Sequence, residues 1–158
     1  MRKPWNRVSL PVYSVSSQAN GSHNMHICTY VSAVSMQPKR YMVALYEGTK
    51  TRALVEQNGH FLLQLLHEDQ YPLVRHLGQQ SGHTKDKLSL LRKRGQLDAY
   101  DSFYYLKEAL AIIECKVIDT MEGGDHKLFL CEVISHRNLR DGKPLTTGWL
   151  QEKKIIRA

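Results

Sequence analysis

Alternating apolar and polar positions dominate this chain, and helical spacing is confined to its middle third. "SLPVYSVSS" (9–17) reads as a first strand, and Asn20-Gly21 in "QANGSHN" marks the turn after it. "NMHICTYVSAVSMQP" (24–38) then reads as one strand, although Thr29, Ser32 and Ser35 interrupt it and leave no clean apolar face. After Pro38, "RYMVALYEG" (40–48) is a second clear strand bounded by Gly48. "TKTRALVEQNG" (49–59) predicts a short helix capped by Thr49 or Thr51, with Ala53, Leu54 and Val55 inward and Asn58-Gly59 at its stop. "HFLLQLL" (60–66) predicts a buried strand.

Leu73, Val74 and Leu77 then fall at helical spacing, with Asp69 as the expected N-cap and Gly78 near the stop. Leu88 and Leu91 mark another helix ended by Gly95, and "GQLDAYDS" reads as polar connection. Two long β-type runs, 109–121 and 126–138, are joined by the hairpin turn "EGGD". The pattern predicts a single domain over residues 1–158, mostly β with inserted helices. So many apolar strands favour a closed or nearly closed antiparallel barrel over an open sheet.

Composition changes this picture little: 42% hydrophobic and 23% charged residues suit a globular domain with a real core. No apolar run approaches the roughly 18 residues of a membrane helix, and "MRKPWNRVSLPVY" has no signal-like apolar core. Cys28, Cys115 and Cys131 are odd in number and lie in apolar runs, so reduced, packed thiols and a cytoplasmic location are expected. The net charge of +7 favours anionic ligands, but its basic clusters at 91–95, 135–143 and 151–158 are scattered. No aromatic-rich basic motif accompanies them, so neither nucleic acid nor a membrane is an expected partner. Trp5 and Trp149 read as terminal packing anchors.

Candidate chemistry is sparse. Glycine-rich phosphate loops and a nucleophile elbow are absent from the sequence. His23, His26 and Cys28 lack a fourth ligand at matching spacing, so no metal site is expected. What remains is a set of hydroxyls, amides and one cation: Asn24, Thr29, Ser32 and Ser35, then Thr49, Lys50 and Thr51. "GTKT" opening a helix offers hydroxyls, backbone N–H groups and a lysine, the donors a phosphate needs. Two readings stand: a phosphate grip, or threonines that only cap the helix beside a solvated lysine, which is the commoner use.

From about Pro11 to about Pro144 the chain resembles the flavin reductase-like family, whose fold is the FMN-binding split barrel. The matching pieces, in order, are Asn24, Cys28-Thr29, Val34-Ser35 with Pro38, "YMVALY", "EGTKT", "FLLQLLHEDQ" and "GGDHKLFLCEV". The resemblance implies a split β-barrel of Greek-key-like antiparallel strands, FMN near a homodimer interface, and NAD(P)H-dependent reduction of FMN or of a substrate through FMN. A carrier or sensor that binds FMN without efficient NAD(P)H turnover is the alternative it implies. Residue by residue it places Thr29 and Ser32 near the phosphate or ribityl chain, with Asn24 opening the same motif. Thr49, Lys50 and Thr51 fall in the phosphate grip, Ala33 and Ser35 beside the isoalloxazine ring, and His126 near the flavin and nicotinamide. Ile27, Lys39 and Cys131 depart from the family pattern, which has a threonine, a proline and a glycine there.

Overall fold

A computed structural model describes residues 1–157. The chain begins with β1 (Tyr13–Ala19) and β2 (Ser22–Cys28), a hairpin whose two-residue turn is Asn20-Gly21. Both turn residues have positive φ, 50° and 78°, the twist that lets strands leave in register and the reason for glycine at the second position. There follow β3 (Val31–Ser35), β4 (Arg40–Tyr46), the helix α1 (Lys50–Asn58) and β5 (His60–Leu65). Helices α2 (Pro72–Gly78) and α3 (Lys87–Lys93) lead to a small hairpin, β6 (Leu97–Tyr100) and β7 (Phe103–Leu106). The long pair β8 (Ala111–Glu122) and β9 (His126–Asn138) and a final helix α4 (Thr147–Glu152) complete the chain.

Seven strands form one antiparallel sheet in the order β2-β1-β5-β8-β9-β4-β3. β2 and β3 are the two edges of that sheet, yet only Thr29 and Tyr30 separate them in sequence. The sheet must therefore curl until its edges approach. The contacts at the seam agree: Ala44 N–H donates to Tyr30 O at 2.9 Å, and Cys28 Sγ lies 3.5 Å from Ala44 O. Register shifts in β8–β9 and β3–β4 add the bends that such curling needs. The barrel is split along this seam. It is not closed, because β2 and β3 do not pair with each other.

The predicted single strand over 24–38 is thus two strands on opposite edges, and the hydroxyl-rich middle is the crossing point. Three further expectations shift. The first strand begins at Tyr13, since Pro11 makes only an isolated bridge with Thr146. Asp69 lies inside a short 3-10 turn capped by His67, and α2 starts beyond it at Pro72. "GQLDAYDS" contributes a strand, β6, which the polar content of Asp98 concealed. Trp149 packs against Tyr71 with ring centroids 5.3 Å apart, whereas Trp5 is 69% exposed, with Lys3 Nζ 5.7 Å from its ring.

Alternation along β5 explains the core. Phe61 and Leu63 point into the barrel with Val15, Val43, Leu45, Phe129 and Cys131. Leu62 joins Phe103, Tyr105 and Ile112 on the outer face, so β5 is covered on both sides. A second core packs Leu73, Leu77, Leu88 and Leu91 of α2 and α3 against Met25 and Leu66. Each such side chain contributes roughly 1.5–3 kcal/mol on burial, enough to pin both helices beside β2. Cys131 fills the barrel interior and is fully buried. Ile27 packs against the second core, beside Gly78 at the end of α2.

Candidate functional site

The turn from β4 into α1 builds one wall of the site. Thr49 caps α1: its Oγ1 accepts from Arg52 N–H at 3.3 Å and donates to Tyr46 O at 2.9 Å. Lys50 follows as the first helical residue and faces a cavity of about 300 Å³. Across the cavity stand His26 of β2, the end of α2, and Lys87 at the start of α3. The loop joining α2 to α3 folds over the opening, with His83 Nε2 3.1 Å from Gly48 O. Close approach of this loop requires Gly82, where a Cβ would lie 2.3 Å from Asn24 Oδ1.

Asn24 and Thr51 meet beneath this wall. Asn24 Nδ2 donates to Thr51 Oγ1 at 2.8 Å, and both residues are buried. Asn24 still borders the cavity, but Thr51 is fully enclosed and its hydroxyl reaches no ligand space. Thr51 of "GTKT" is therefore structural, while Thr49, whose hydroxyl caps α1, and Lys50 both border the cavity. Phosphate and capping readings of this motif divide between neighbouring residues.

The cavity is suited to an anion. Lys50 and Lys87 supply positive charge, the N-terminus of the nine-residue α1 adds its dipole, and Glu47 is the one carboxylate among the lining residues. Lys87 is only 3% exposed and donates from Nζ to Leu77 O at 2.9 Å. Burial, with help from nearby Lys50, pushes its pKa down to about 8. His26 carries a buried Nδ1 with no hydrogen-bond partner. Burial first, then the charge of Lys87, lowers its pKa to about 3, so the ring is neutral and can present Nδ1–H as a donor.

A second cavity of about 400 Å³ lies at the seam of the barrel and is bordered by Thr29, Tyr30, Ser32, Met42 and His126. The His126 ring stands between Tyr30 and Tyr46, at centroid distances of 5.0 and 5.2 Å. Asp125 Oδ1 holds His126 Nδ1 at 2.7 Å, which leaves Nε2 as its other functional nitrogen. Glu47 N–H donates to Asp125 O at 2.9 Å and ties this hairpin to the turn before α1. Tyr46 borders the anion cavity and His126 the seam cavity, so one aromatic cluster separates the two.

Thr29 and Ser32 share a cavity with His126 and not with Thr49 and Lys50, although the family resemblance puts them near the phosphate or ribityl chain. Ala33 and Ser35 are elsewhere: Ala33 is exposed on the edge strand, and Ser35 lies past the bulge opposite Arg40. Neither borders the seam cavity. Sequence reasoning missed Lys87 and set His26 aside after finding no metal spacing. Lys87 sits one position after the cap Asp86, in a segment whose only visible signal was Leu88 and Leu91. No local pattern marks a lysine that tertiary packing buries.

Residues 5–152 match the model of the flavin reductase like domain. The chain is 31% identical over 118 residues to the reductase component of 4-nitrophenol 4-monooxygenase/4-nitrocatechol 2-monooxygenase from Rhodococcus opacus, covering 73% of this chain and 58% of that protein. It is 24% identical over 151 residues to the ferric-chelate reductase (NAD(P)H) of Archaeoglobus fulgidus, covering 89% and 82%. Among solved structures, the FMN-binding protein from Thermus thermophilus with bound 1-cyclohex-2-enone superposes with a TM-score of 0.77 at 21% identity, covering 91% and 82%. The chain spans only 22% of a putative diflavin flavoprotein of Nostoc, to which it is 24% identical over 80% of its own length.

Proposed function

The chain belongs to the flavin reductase-like family, and on that premise we propose that it is an FMN-binding oxidoreductase of the NAD(P)H-dependent flavin reductase type. The observation that carries this reading is the pairing of a two-lysine anion cavity with an aromatic-walled cavity across Tyr46 and His126. The donor set fits FMN. Lys50 and the α1 N-terminus would take the phosphate, with His26 Nδ1, otherwise an orphan, as a further donor. Asn24 would border the same end. Thr29 and Ser32 would meet the polar chain and ring edge, and Tyr30 and His126 would bound the ring.

When bound, FMN supplies hydride acceptance from NAD(P)H and onward electron transfer. The protein's part is to bind, orient and exclude water. Thr49 and Thr51 act as positioning residues, the first by capping α1 and the second by locking α1 to β2 through Asn24. Ala33 and Ser35 belong to an exposed edge strand rather than to the cavities. Val34 and Met36 of that region, with Ile118, Met121 and Ile134 of β8 and β9, are exposed apolar residues that support a homodimer through this part of the sheet. Buried, unbridged cysteines support a reducing compartment such as the cytoplasm. Among the described residues no helix is long and apolar enough to cross a membrane.

The test is direct. The purified protein is titrated with FMN and riboflavin, and NADH or NADPH oxidation is followed with FMN present. Saturable FMN binding with nicotinamide oxidation is expected, and Lys50→Ala weakens FMN more than riboflavin. FMN binding without nicotinamide oxidation would leave the carrier or sensor reading. Absence of flavin binding removes both.

A further inference from the structure

A third cavity, of about 330 Å³, lies beside α2 and α3 and shares no residue with the two cavities of the flavin reading. Its size falls in the range of small-molecule sites, about 300–1,000 Å³. The floor is apolar, built from Leu73 of α2, Leu91 of α3 and Leu106 of β7, all buried. The border carries both signs of charge. Arg140 donates to Glu108 and, at 3.3 Å, to Asp69, so two carboxylates share one guanidinium and one negative charge is in surplus. His67 Nδ1 lies 3.3 Å from Asp69 Oδ2, but it already accepts from Asp69 N–H and adds no charge there. Arg94, just past α3, brings the opposite sign, and among the described residues no carboxylate pairs with it. Gln96 borders the same cavity. Its main chain is fixed, donating to Leu91 O and accepting from Lys107 N–H, both at 3.0 Å. Its side-chain Oε1 is buried and has no hydrogen-bond partner, a costly state unless a donor reaches it. The last torsion of glutamine is soft, so this oxygen can turn to a donor that enters the cavity.

We propose that this cavity binds a free α-amino acid with an apolar side chain. The carboxylate meets Arg94, the ammonium meets Gln96 Oε1 and the Asp69–Glu108 pair, and the side chain lies on the leucine floor. A zwitterion matches a border on which the two signs balance, unlike the two-lysine cavity, which suits an anion. A simple carboxylate would leave the surplus negative charge and Gln96 unanswered, and a simple amine would leave Arg94 unanswered. The floor offers no partner to a charged or amide side chain, so leucine or phenylalanine fits and aspartate, lysine or glutamine does not. The site stands apart from the flavin reading and does not depend on it.

The experiment titrates the isotope-labelled full chain with L-leucine and L-phenylalanine and follows its amide resonances by NMR. Saturable shifts centred on Gln96, Leu91 and Leu106 are expected, with the Gln96 side-chain amide among them. Isocaproate lacks the ammonium and leucinamide lacks the carboxylate. Each should bind about tenfold more weakly than leucine, the usual scale for a lost charged hydrogen bond. Arg94→Met should weaken leucine about tenfold and change leucinamide by less than about twofold. Gln96→Met should weaken leucine in the same way and change isocaproate by less than about twofold. Saturating FMN should leave leucine affinity within about twofold, because the cavities are separate. Absence of saturable shifts with both amino acids overturns the proposal. So does isocaproate or leucinamide binding as tightly as leucine, which would reduce the site to an apolar groove. Displacement of leucine by FMN, or shifts centred on Lys50 and His26, would put the amino acid in the anion cavity and also overturn it. Arg94 is exposed, so its replacement leaves the core intact. Should Gln96→Met not fold, the ligand series on the wild type decides the matter by itself.

Discussion

Asn24 Nδ2 donates to Thr51 Oγ1 at 2.8 Å inside the protein, and this bond ties the central part of β2 to the first turn of α1. Two residues that resemble cofactor ligands in sequence are each other's partners, and of the two only Asn24 also borders the cavity. The bond sets how far α1 stands from β2, and therefore the width of the cavity between Lys50 and His26.

Thr51→Val keeps the shape of the side chain and removes the acceptor, leaving a buried amide unpaired. A loss of about 1–3 kcal/mol in unfolding free energy is expected from urea denaturation. Thr51→Ser retains the hydroxyl and should lose less. FMN and riboflavin should weaken together in Thr51→Val, because the whole cavity shifts. Equal stability of the valine and serine variants would show that the bond contributes nothing.

His26 makes stability depend on pH. Its folded pKa of about 3 lies below the ordinary 6.5, so the unfolded chain binds a proton that the folded chain refuses. Stability contributed by neutral His26 is complete above pH 6.5 and is lost progressively as pH falls from there towards 3. His26→Gln removes the titration. Between pH 7.5 and 4.5 the wild type should lose about 1–2 kcal/mol relative to His26→Gln, a figure reduced from the full shift because the ring is not wholly enclosed. Parallel pH curves for the two proteins would refute this.

Cys28, Cys115 and Cys131 are all buried and unbridged. Burial pushes the Cys28 thiol up to about 12. The hydrogen bond with Cys131, followed by burial, raises Cys115 well above the ordinary value. All three thiols are shielded from solvent, so none should react with a thiol-specific disulfide reagent at pH 8 in the folded protein. All three should react after unfolding in guanidinium. Rapid modification of any one in the native state would show a local opening of the barrel.

Turn and cap residues were legible because their signals are local. Asn20-Gly21 needs positive φ wherever it occurs in a tight hairpin, and Thr49 with Gly59 brackets α1 through bonds made within the helix itself. The long β8–β9 hairpin was legible for the same reason: its partners adjoin in sequence. By contrast β6 was hidden, because its pairing with β7 outweighs the polar residue Asp98. Of the candidate site, Asn24, Thr49 and Lys50 border one cavity and Thr29, Ser32 and His126 the other, while Thr51 is enclosed as a support and Ala33 and Ser35 lie outside.

What the sequence determined alone was most of the elements and their order, the mostly β architecture and, through ordered motif resemblance, the family. Periodicity and turn chemistry act over a few residues, so they survive without knowledge of the fold. Tertiary structure decided the rest. It split residues 24–38 into strands on opposite edges, because strand pairing is a choice among distant partners. It also brought Lys87 to Lys50 and His26, since a charge becomes buried only when separate elements close around it.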